Sequence, residues 1–428
     1  MKRLFKNANV ITHEGDILNY QDILVCDDKI ETVGQCSDCE ADEIFDCTDK
    51  FIAPGFTAMH VHSPMNIFKG IAEDVNIDDW FNREIWPYES KMTEEDIYWG
   101  AKLACLEMLN NGITAFADHY FKSDVIAKAC KECGIKADIA YTIFGFGGNC
   151  DEELKLAEQF VRDYRGDKLI SPRLGPHSPY MCSKEVLKTI VNKAKELECG
   201  IHIHVSETSR QVEESKQLHG GQTPFEVLNE CGGFDVPCIV GHGLWVQQSD
   251  LKYYRDTTCT AISPKTYLKL GMGKGNLWKY YAQMNPVSGN DGSASSNSID
   301  VLEQIRMFAL LGKWEDEAEE FKLKDMWKIL MDGHRYLNFN SGRIEAGYSA
   351  DFNVFDLSKC STAPLYNPLA AILYSAQAAS AITDTLICGK FVKRNGKLML
   401  NEREIVENAS HCAKEIYTRG KGTTKLYF

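Results

Sequence analysis

Two pairs of histidines, each with a single residue between its members, could do chemistry together. His60 and His62 stand in "FTAMHVH", and His202 and His204 stand in "GIHIHVSE". Eleven histidines in 428 residues produce roughly 0.3 such pairs by chance, so two pairs favour a function over coincidence. Residues two apart in a strand point to the same face. Both members of a pair can therefore face one metal ion.

Further polar residues close other short apolar runs. His242 lies in "PCIVGHG", Asp291 ends "NPVSGND", and Glu207 follows His204 by three residues. Neutral imidazoles and a carboxylate are ligands that suit Zn²⁺ or Fe²⁺, and a catalytic site keeps one coordination position open. We expect the metal ligands to be His60, His62, His204 and Asp291.

A metal ion held in this way supplies a nucleophile at neutral pH. It lowers the pKa of a bound water toward about 7, which gives a hydroxide. Asp291 can accept the proton of the water, and Glu207 can carry a proton to a ring nitrogen beside the reacting carbon. His242 can orient the hydroxide and stabilise the tetrahedral intermediate. These residues predict hydrolysis at a protonated heterocycle.

Eight apolar runs, each followed by a helical pattern, would position these side chains. The runs are "FTAMHVH", "TAFADHY", "ADIAYTIF", "LISPRLGPH", "GIHIHVSE", "PCIVGHG", "TCTAISP" and "NPVSGND". Repeated β–α units imply a parallel sheet, and eight strands close a barrel. Chemistry in such barrels lies at the C-terminal ends of the strands, where the histidines stand. The predicted class is α/β, with a barrel of residues 56–344.

Strand patterns also occupy both chain ends. Residues 4–52 alternate between apolar and polar positions in short runs, and "GYSADFNVFDL" and "ITDTLICGKFVKRNGKLML" do the same downstream. We expect the two ends to complete one sheet. The predicted composite domain comprises residues 1–55 and 345–428.

Composition restricts the partner and the location. The formal net charge is −14, so no basic stripe is available for nucleic acid. No apolar run is long enough for a signal peptide or a membrane span, which predicts a cytoplasmic protein. The sixteen cysteines are scattered along the chain, and we expect them to be reduced thiols.

The motifs resemble the amidohydrolase superfamily, and within it the 5'-methylthioadenosine/S-adenosylhomocysteine deaminases and their chlorohydrolase relatives. The matching stretches include "PGFTAMHVHSPMNIFKGIAEDVNIDDWF", "LGPHSPYMCSKE", "HIHVSETS", "GHGLWV" and "NDGSASSNS". The resemblance implies a (β/α)8 barrel with a β-sandwich built from both chain ends. It also implies one divalent metal ion per subunit and hydrolytic release of ammonia from an aminopurine. We expect zinc, with iron(II) or manganese(II) as alternatives, and a homodimer or homotetramer.

The resemblance also assigns substrate contacts. It carries the same four ligands over, together with Glu207 and His242. Trp80 and Glu89 match the aromatic residue and the carboxylate that this deaminase branch uses at the nucleoside, with Glu89 bridging the ribose hydroxyls. His177 matches a further substrate contact. Each assignment is chemically sound, because a carboxylate accepts from vicinal hydroxyls and an aromatic ring packs on a nucleoside.

Three departures from the family pattern bear on the substrate. After the third barrel strand the family places arginines that hold a carboxylate tail, whereas "AYTIFGFGGNCDEE" offers Tyr141 and acidic residues. Lys265 lies where the family has a different motif, and His119 is unexpected; we expect Tyr141 and Lys265 to contact the substrate. We predict an adenine nucleoside with a neutral 5'-group rather than S-adenosylhomocysteine. The alternatives are hydrolysis or dechlorination of another aminoheterocycle (a free purine, a pterin or a triazine) and a non-catalytic metal-binding protein.

Overall fold

The computed structural model describes residues 1–36, 39–145 and 150–423. Its strands are β1 (Lys2–Ile11), β2 (Ile17–Cys26), β3 (Lys29–Gly34), β4 (Glu43–Asp46), β5 (Phe51–Pro54), β6 (Phe56–Val61), β7 (Ile113–Tyr120), β8 (Lys136–Ile143), β9 (Ile170–Pro176), β10 (Ile201–Val205), β11 (Cys238–His242), β12 (Thr258–Ile262), β13 (Pro286–Ser288), β14 (Phe352–Phe355), β15 (Ile382–Ile387), β16 (Lys390–Arg394) and β17 (Lys397–Leu398).

The α-helices mostly follow the barrel strands. They are α1 (Ile77–Asp79), α2 (Trp86–Glu89), α3 (Glu94–Asn110), α4 (Ser123–Cys133), α5 (Cys150–Tyr164), α6 (Lys184–Glu196), α7 (Ser209–Leu218), α8 (Pro224–Glu230), α9 (Pro264–Lys269), α10 (Leu277–Tyr280), α11 (Ser293–Ser296), α12 (Val301–Glu315), α13 (Leu323–Met331), α14 (Pro368–Ala370), α15 (Ala378–Ala381) and α16 (Glu402–Arg419). A 3₁₀ segment (Ser63–Phe68) and a π-helical segment (Trp80–Ile85) lie near the ends of β6 and α1.

Eight parallel strands, β6 to β13, stand side by side in chain order and form a barrel. The barrel closes because the Ser288 hydroxyl donates to the Thr57 carbonyl at 2.7 Å and the Asn290 amide donates to the His60 carbonyl at 3.0 Å. The strands are buried because helices cover the outside and side chains fill the inside. The predicted (β/α)8 barrel is confirmed, and each of the eight predicted runs overlaps one strand.

The terminal sheet combines both ends of the chain. Its order is β17-β16-β15-β14-β5-β1-β2-β3, and β4 pairs with β1 outside this order. Phe5 is central to its core, since its ring stacks on Phe45 at 4.8 Å and meets Phe352 edge-on at 5.1 Å. The sheet predicted from the two ends is confirmed. The domain bounds at residues 55 and 345 remain a prediction.

Buried polar contacts join the terminal sheet to the barrel. Lys136 at the start of β8 forms an ion pair with Asp351, and both side chains are almost completely buried. Asn353 of β14 donates to the Gly112 carbonyl at 2.8 Å, and the buried Lys393 donates to the carbonyl of residue 110 at 2.7 Å. Because a buried charge is tolerated only when it is paired or solvated, these contacts fix how the sheet lies against the barrel.

The cysteines and the lengths of the helices bear on the expected location of the protein. Cys36 and Cys39 form a disulfide, so the expectation of reduced thiols is wrong for this pair; their short spacing in the chain brings the two side chains together. Within the described ranges, every helix is too short or too polar to cross a bilayer.

Candidate active site

The predicted metal ligands lie together at the C-terminal mouth of the barrel, where His62, His204 and Asp291 line a cavity of about 350 Å³. His62 Nε2 lies 3.3 Å from His204 Nε2 and 3.2 Å from the Asp291 carboxylate. His60 Nε2 lies 3.7 Å from the same carboxylate oxygen. Four side chains from three distant parts of the chain thus present donor atoms to one small volume.

Hydrogen bonds at the far side of the rings leave lone pairs that face this volume. His62 Nδ1 donates to the His119 carbonyl at 2.7 Å, and His204 Nδ1 donates to the His177 carbonyl at 2.9 Å. Because a carbonyl only accepts, each ring carries a proton on Nδ1 and directs Nε2 toward the other ring. The two Nε2 atoms lie 3.3 Å apart, so their lone pairs repel each other unless a proton or a metal ion lies between them. The donor set therefore fits a divalent metal ion.

The fourth donor and the site electrostatics agree with this conclusion. His60 Nε2 is buried and has no hydrogen-bond partner among the described residues. Burial lowers the pKa of His62, but the hydrogen bond with Asp291 and the charge of that residue raise it to about 9. Burial raises the pKa of Asp291, yet the His62 hydrogen bond and nearby histidines bring it below its ordinary value. Both shifts arise mainly from the pairing of His62 with Asp291.

Backbone geometry directs two of the side chains. Asp291 has φ of +64° and His242 has φ of +75°, in the left-handed region that costs a residue other than glycine about 1 kcal/mol or more. The Ser295 hydroxyl donates to Asp291 Oδ2 at 2.7 Å. These contacts turn the carboxylate toward the histidines.

Glu207 and His242 lie beside the histidine cluster. His242 is 1% exposed, and its Nε2 lies 3.5 Å from Glu207 Oε1. Tyr180 and Gln211 both donate to Glu207 Oε2 at 3.2 Å. The carboxylate is therefore held by two donors on one oxygen, while its other oxygen faces His242. Glu207 can therefore transfer a proton to and from a heterocyclic ring bound in the cavity.

Three of the predicted substrate residues line the same cavity: Trp80, Glu89 and His177. Glu89 is 5% exposed and accepts from the Tyr120 hydroxyl at 2.6 Å. Burial raises the pKa of Glu89, although the hydrogen bond from Tyr120 opposes this effect. The His177 ring stacks on Phe144 at 5.2 Å, and burial lowers the pKa of His177 to about 3, so it is a neutral donor or acceptor.

Tyr141 and Lys265 do not line the cavity. The Tyr141 ring lies 6.4 Å from Phe160 of α5, on the outer face of β8, and the adjacent Thr142 lines the cavity instead. Strand alternation explains this difference of one residue. Lys265 Nζ binds Glu303 at 2.7 Å on the neighbouring helix. Neither is placed to contact a ligand. Residues 146–149 of the quoted loop lie outside the described residues.

Several cavity residues were not identified from the sequence. Arg210 Nη1 lies 2.7 Å from Asp78 Oδ1, and its Nε lies 3.5 Å from Glu214. Arg210 follows Glu207 by three residues, which was a usable signal, but nothing in the sequence indicated a contact with Asp78. Tyr120 follows the unexpected His119 directly, at the predicted end of a barrel strand.

Comparison with known proteins places this site in a family. The family model described as "Amidohydrolase family" matches residues 51–392. The chain belongs to the amidohydrolase family. This amidohydrolase is therefore a hydrolase that acts on carbon–nitrogen bonds.

Similar proteins align along nearly the whole amidohydrolase chain. It is 34% identical to a 5-methylthioadenosine/S-adenosylhomocysteine deaminase of Dictyoglomus turgidum, over 95% of both proteins. It is also 34% identical to a 5'-deoxyadenosine deaminase of Methanopyrus kandleri, over 97% of this chain and 96% of that one. A zinc-bound adenosine deaminase from Xanthomonas campestris superposes with a TM-score of 0.92 at 27% identity, covering 97% and 98% of the two chains.

Proposed function

We propose that this amidohydrolase deaminates an adenine nucleoside with a neutral 5'-group, such as 5'-methylthioadenosine, 5'-deoxyadenosine or adenosine. The products are ammonia and the corresponding inosine analogue. One observation carries the proposal: Glu207 and His242 lie beside the four-donor cluster, and the buried Glu89 lines the same cavity. The relatives named as deaminases of such nucleosides support it.

His60, His62, His204 and Asp291 would hold one zinc ion per subunit. When bound, the ion supplies a water molecule that is acidic enough to react at neutral pH. Asp291 accepts a proton from the attacking water at its carboxylate. Glu207 protonates the ring nitrogen next to the amino-bearing carbon, which makes that carbon electrophilic. His242 donates a hydrogen bond toward the oxygen that joins this carbon.

The proton balance of the reaction requires a carrier that acts twice. A carbon–oxygen bond forms, and one water proton passes through Asp291 to Glu207, which has already given its own proton to the ring nitrogen. Glu207 passes this proton to the amino group, which leaves as ammonia when the carbon–nitrogen bond breaks, and the second water proton restores protonated Glu207 as the carbonyl forms. Glu207 can carry these protons because Tyr180 and Gln211 hold one oxygen and leave Oε1 toward His242 and the cavity. Expelling an amine requires such a carrier more than expelling chloride does, so the carboxylate favours deamination.

Two further residues that line the cavity, Glu89 and Trp80, support a nucleoside. Glu89 can accept from two vicinal ribose hydroxyls, since Tyr120 occupies Oε1 on one side only. Trp80 contributes an apolar ring against the nucleoside.

Charge at the opening favours a neutral 5'-group. Arg210 is the one arginine or lysine that lines the cavity in the described part of the chain. Asp78 and Glu214 already engage it. A carboxylate tail would have to displace these partners, so we propose that S-adenosylhomocysteine is a poor substrate. A dimer or tetramer and a cytoplasmic location remain predictions.

Ammonia release and the ultraviolet change with zinc-loaded enzyme test this proposal. The panel contains 5'-methylthioadenosine, 5'-deoxyadenosine, adenosine, S-adenosylhomocysteine, guanine and a pterin, and Glu207→Gln is the inactive control. We expect turnover of the three neutral nucleosides and much slower turnover of S-adenosylhomocysteine. Turnover of guanine or the pterin alone would refute the nucleoside assignment.

A further inference from the structure

Tyr88 is a buried aromatic residue that directly precedes Glu89, and the chemistry described above gives it no role. It is 1% exposed and, unlike Glu89, it does not line the cavity. Its ring meets the C-terminal segment, residues 417–423. There it stacks on the ring of Tyr417, with the centroids 6.0 Å apart and an interplanar angle of 15°. The neighbour of the proposed ribose contact thus packs against the end of the described chain.

Two glycines of the C-terminal segment lie against the same ring. A Cβ atom added to Gly420 would collide with Tyr88 Cδ1, and one added to Gly422 would collide with Tyr88 Cε2. Gly420 has φ of −78°, which any residue can adopt. The close approach of the ring, and not the backbone conformation, therefore excludes a side chain at this position.

Polar contacts anchor the C-terminal segment beside α2. Arg419 donates to both carboxylate oxygens of Asp96 at 2.8 Å and to the Lys91 carbonyl at 3.0 Å. Asp96 is 2% exposed and lies in the first turn of α3, so a bidentate, charge-assisted pair joins the segment to a long helix. The Thr423 hydroxyl donates to Glu84. The segment is thus held on both sides of its two glycines.

Helix α2 requires support of this kind. It has four residues, Trp86–Glu89, and directly follows the π-helical segment Trp80–Ile85. A helix this short is not stable by itself, because it makes too few hydrogen bonds to offset the cost of ordering its first turn. Tyr120 holds a carboxylate oxygen of Glu89, but the position of the backbone must come from packing. The contacts of Tyr88 supply that packing one residue away.

We propose that Tyr88 is a positioning residue: the C-terminal segment holds its ring, and the ring holds the Glu89 carboxylate where the ribose hydroxyls bind. Tyr88 acts through Glu89 and does not touch the substrate. This inference rests on the proposed function, because it takes Glu89 as the ribose contact. It explains why glycines occupy the two positions after α16 that meet the ring.

The test compares ammonia release from adenosine and from 2',3'-dideoxyadenosine, which lacks both hydroxyls, with zinc-loaded enzyme. Tyr88→Leu stays apolar but removes the stacked ring, so that α2 and Glu89 can shift. A shift of about 1 Å at a positioned group can cost about 100-fold. We expect kcat/KM for adenosine to fall about 10- to 100-fold, mainly through KM, and kcat/KM for the dideoxy substrate to change less than about threefold. Tyr88→Phe keeps the ring and should retain the wild-type ratio.

Gly420→Ala tests the other side of the same contact. Its methyl group must displace the Tyr88 ring, because Arg419 anchors the chain beside it. This variant should lower kcat/KM for adenosine about threefold or more and leave the dideoxy substrate nearly unaffected. Lys421→Ala changes an exposed residue between the two glycines; it is the matched control and should behave as wild type.

A double-mutant cycle shows whether Tyr88 acts through Glu89. In a Glu89→Gln background, Tyr88→Leu should change kcat/KM for adenosine less than about threefold, because the carboxylate that the ring positions is already absent. Zinc content and the far-ultraviolet circular dichroism spectrum should be equal in all variants. If Tyr88→Leu is not recovered in folded form, the comparison of Gly420→Ala with Lys421→Ala on the same two substrates decides the matter.

The outcomes distinguish the two proposals. Equal losses for adenosine and the dideoxy substrate, or an undiminished effect of Tyr88→Leu in the Glu89→Gln background, would overturn the positioning role of Tyr88 and leave the deaminase proposal standing. A wild-type enzyme that does not turn over adenosine or its 5'-deoxy analogues would overturn both.

Discussion

Replacement of Glu89 by glutamine is the most direct test of a ribose in the cavity. The Glu89 carboxylate is 5% exposed, and Tyr120 donates to it at 2.6 Å from the protein side. Glutamine has almost the same shape and keeps one acceptor oxygen. It loses the negative charge, and its amide nitrogen cannot accept a hydrogen bond from a hydroxyl.

The expected magnitude follows from the number of hydrogen bonds that change. A hydrogen bond to a charged group contributes about 1.5–3 kcal/mol. Glu89→Gln loses one such bond to the vicinal hydroxyls and weakens the other, which totals about 3 kcal/mol. Since 1.4 kcal/mol is a factor of ten, kcat/KM for adenosine should fall about 100-fold. Most of the change should appear in KM, because the ribose does not react.

The assay measures ammonia release from adenosine and from 2',3'-dideoxyadenosine, which lacks both hydroxyls. Glu89→Gln should change kcat/KM for the dideoxy substrate by less than about threefold. Glu95→Gln, an exposed acidic residue of α3, serves as the matched control and should behave as wild type with both substrates. An equal loss with the two substrates would show that Glu89 does not bind the ribose.

Four further predictions address the metal site and the stability of the fold. Asp291→Asn or His242→Gln should lower kcat by about 10³-fold or more with an unchanged far-ultraviolet circular dichroism spectrum; retained turnover in either variant removes its catalytic assignment. Chelation should abolish turnover and lower Tm, because the facing Nε2 atoms of His62 and His204 lose their cation, and one equivalent of zinc should restore both. Full activity after verified metal removal would contradict metal dependence. Burial lowers the pKa of Lys393 to about 8 from 10.5, so the unfolded chain binds more protons between these values. Denaturation should show the free energy of unfolding of wild type rising by about 3 kcal/mol relative to Lys393→Met as pH rises through that window; parallel pH curves would disprove it. Gly100→Ala should lower Tm and zinc affinity, because its Cβ would collide with the Pro64 carbonyl just after His62; an unchanged Tm argues against a tight contact.

Strand alternation explains how much of the site was readable from the sequence. His60 and His62 were predicted to share a face, and both present Nε2 to the cluster. For the second pair, the resemblance gave a ligand role to His204 and none to His202. His202 Nε2 lies 2.8 Å from His60 Nδ1, behind the cluster rather than in it. Alternation identifies a face but says nothing about depth along the barrel axis.

Strand alternation could not predict side-chain contacts between segments that are distant in the chain. Lys265 was expected to contact the substrate, but its side chain is paired with Glu303 on α12, 38 residues later. Arg210 likewise engages Asp78, which precedes it by more than a hundred residues. Side-chain pairing of this kind depends on how loops pack over the barrel, and no local pattern encodes it. The expected position of Tyr141 differed by only one residue along β8, because alternate residues of a strand face opposite sides and Thr142 rather than Tyr141 faces the cavity.

The placement of Asp291 shows why barrel closure and the proposed chemistry cannot be separated. The amides of Asn290 and Asp291 both donate to the His60 carbonyl, at 3.0 and 2.9 Å. These bonds join the last barrel strand to the first. They also hold His60 and Asp291, two of the four proposed metal donors, next to each other. The left-handed φ of Asp291 then turns its carboxylate inward. A change that loosens this junction, even one remote from the cavity, would therefore alter the donor geometry before it unfolds the barrel.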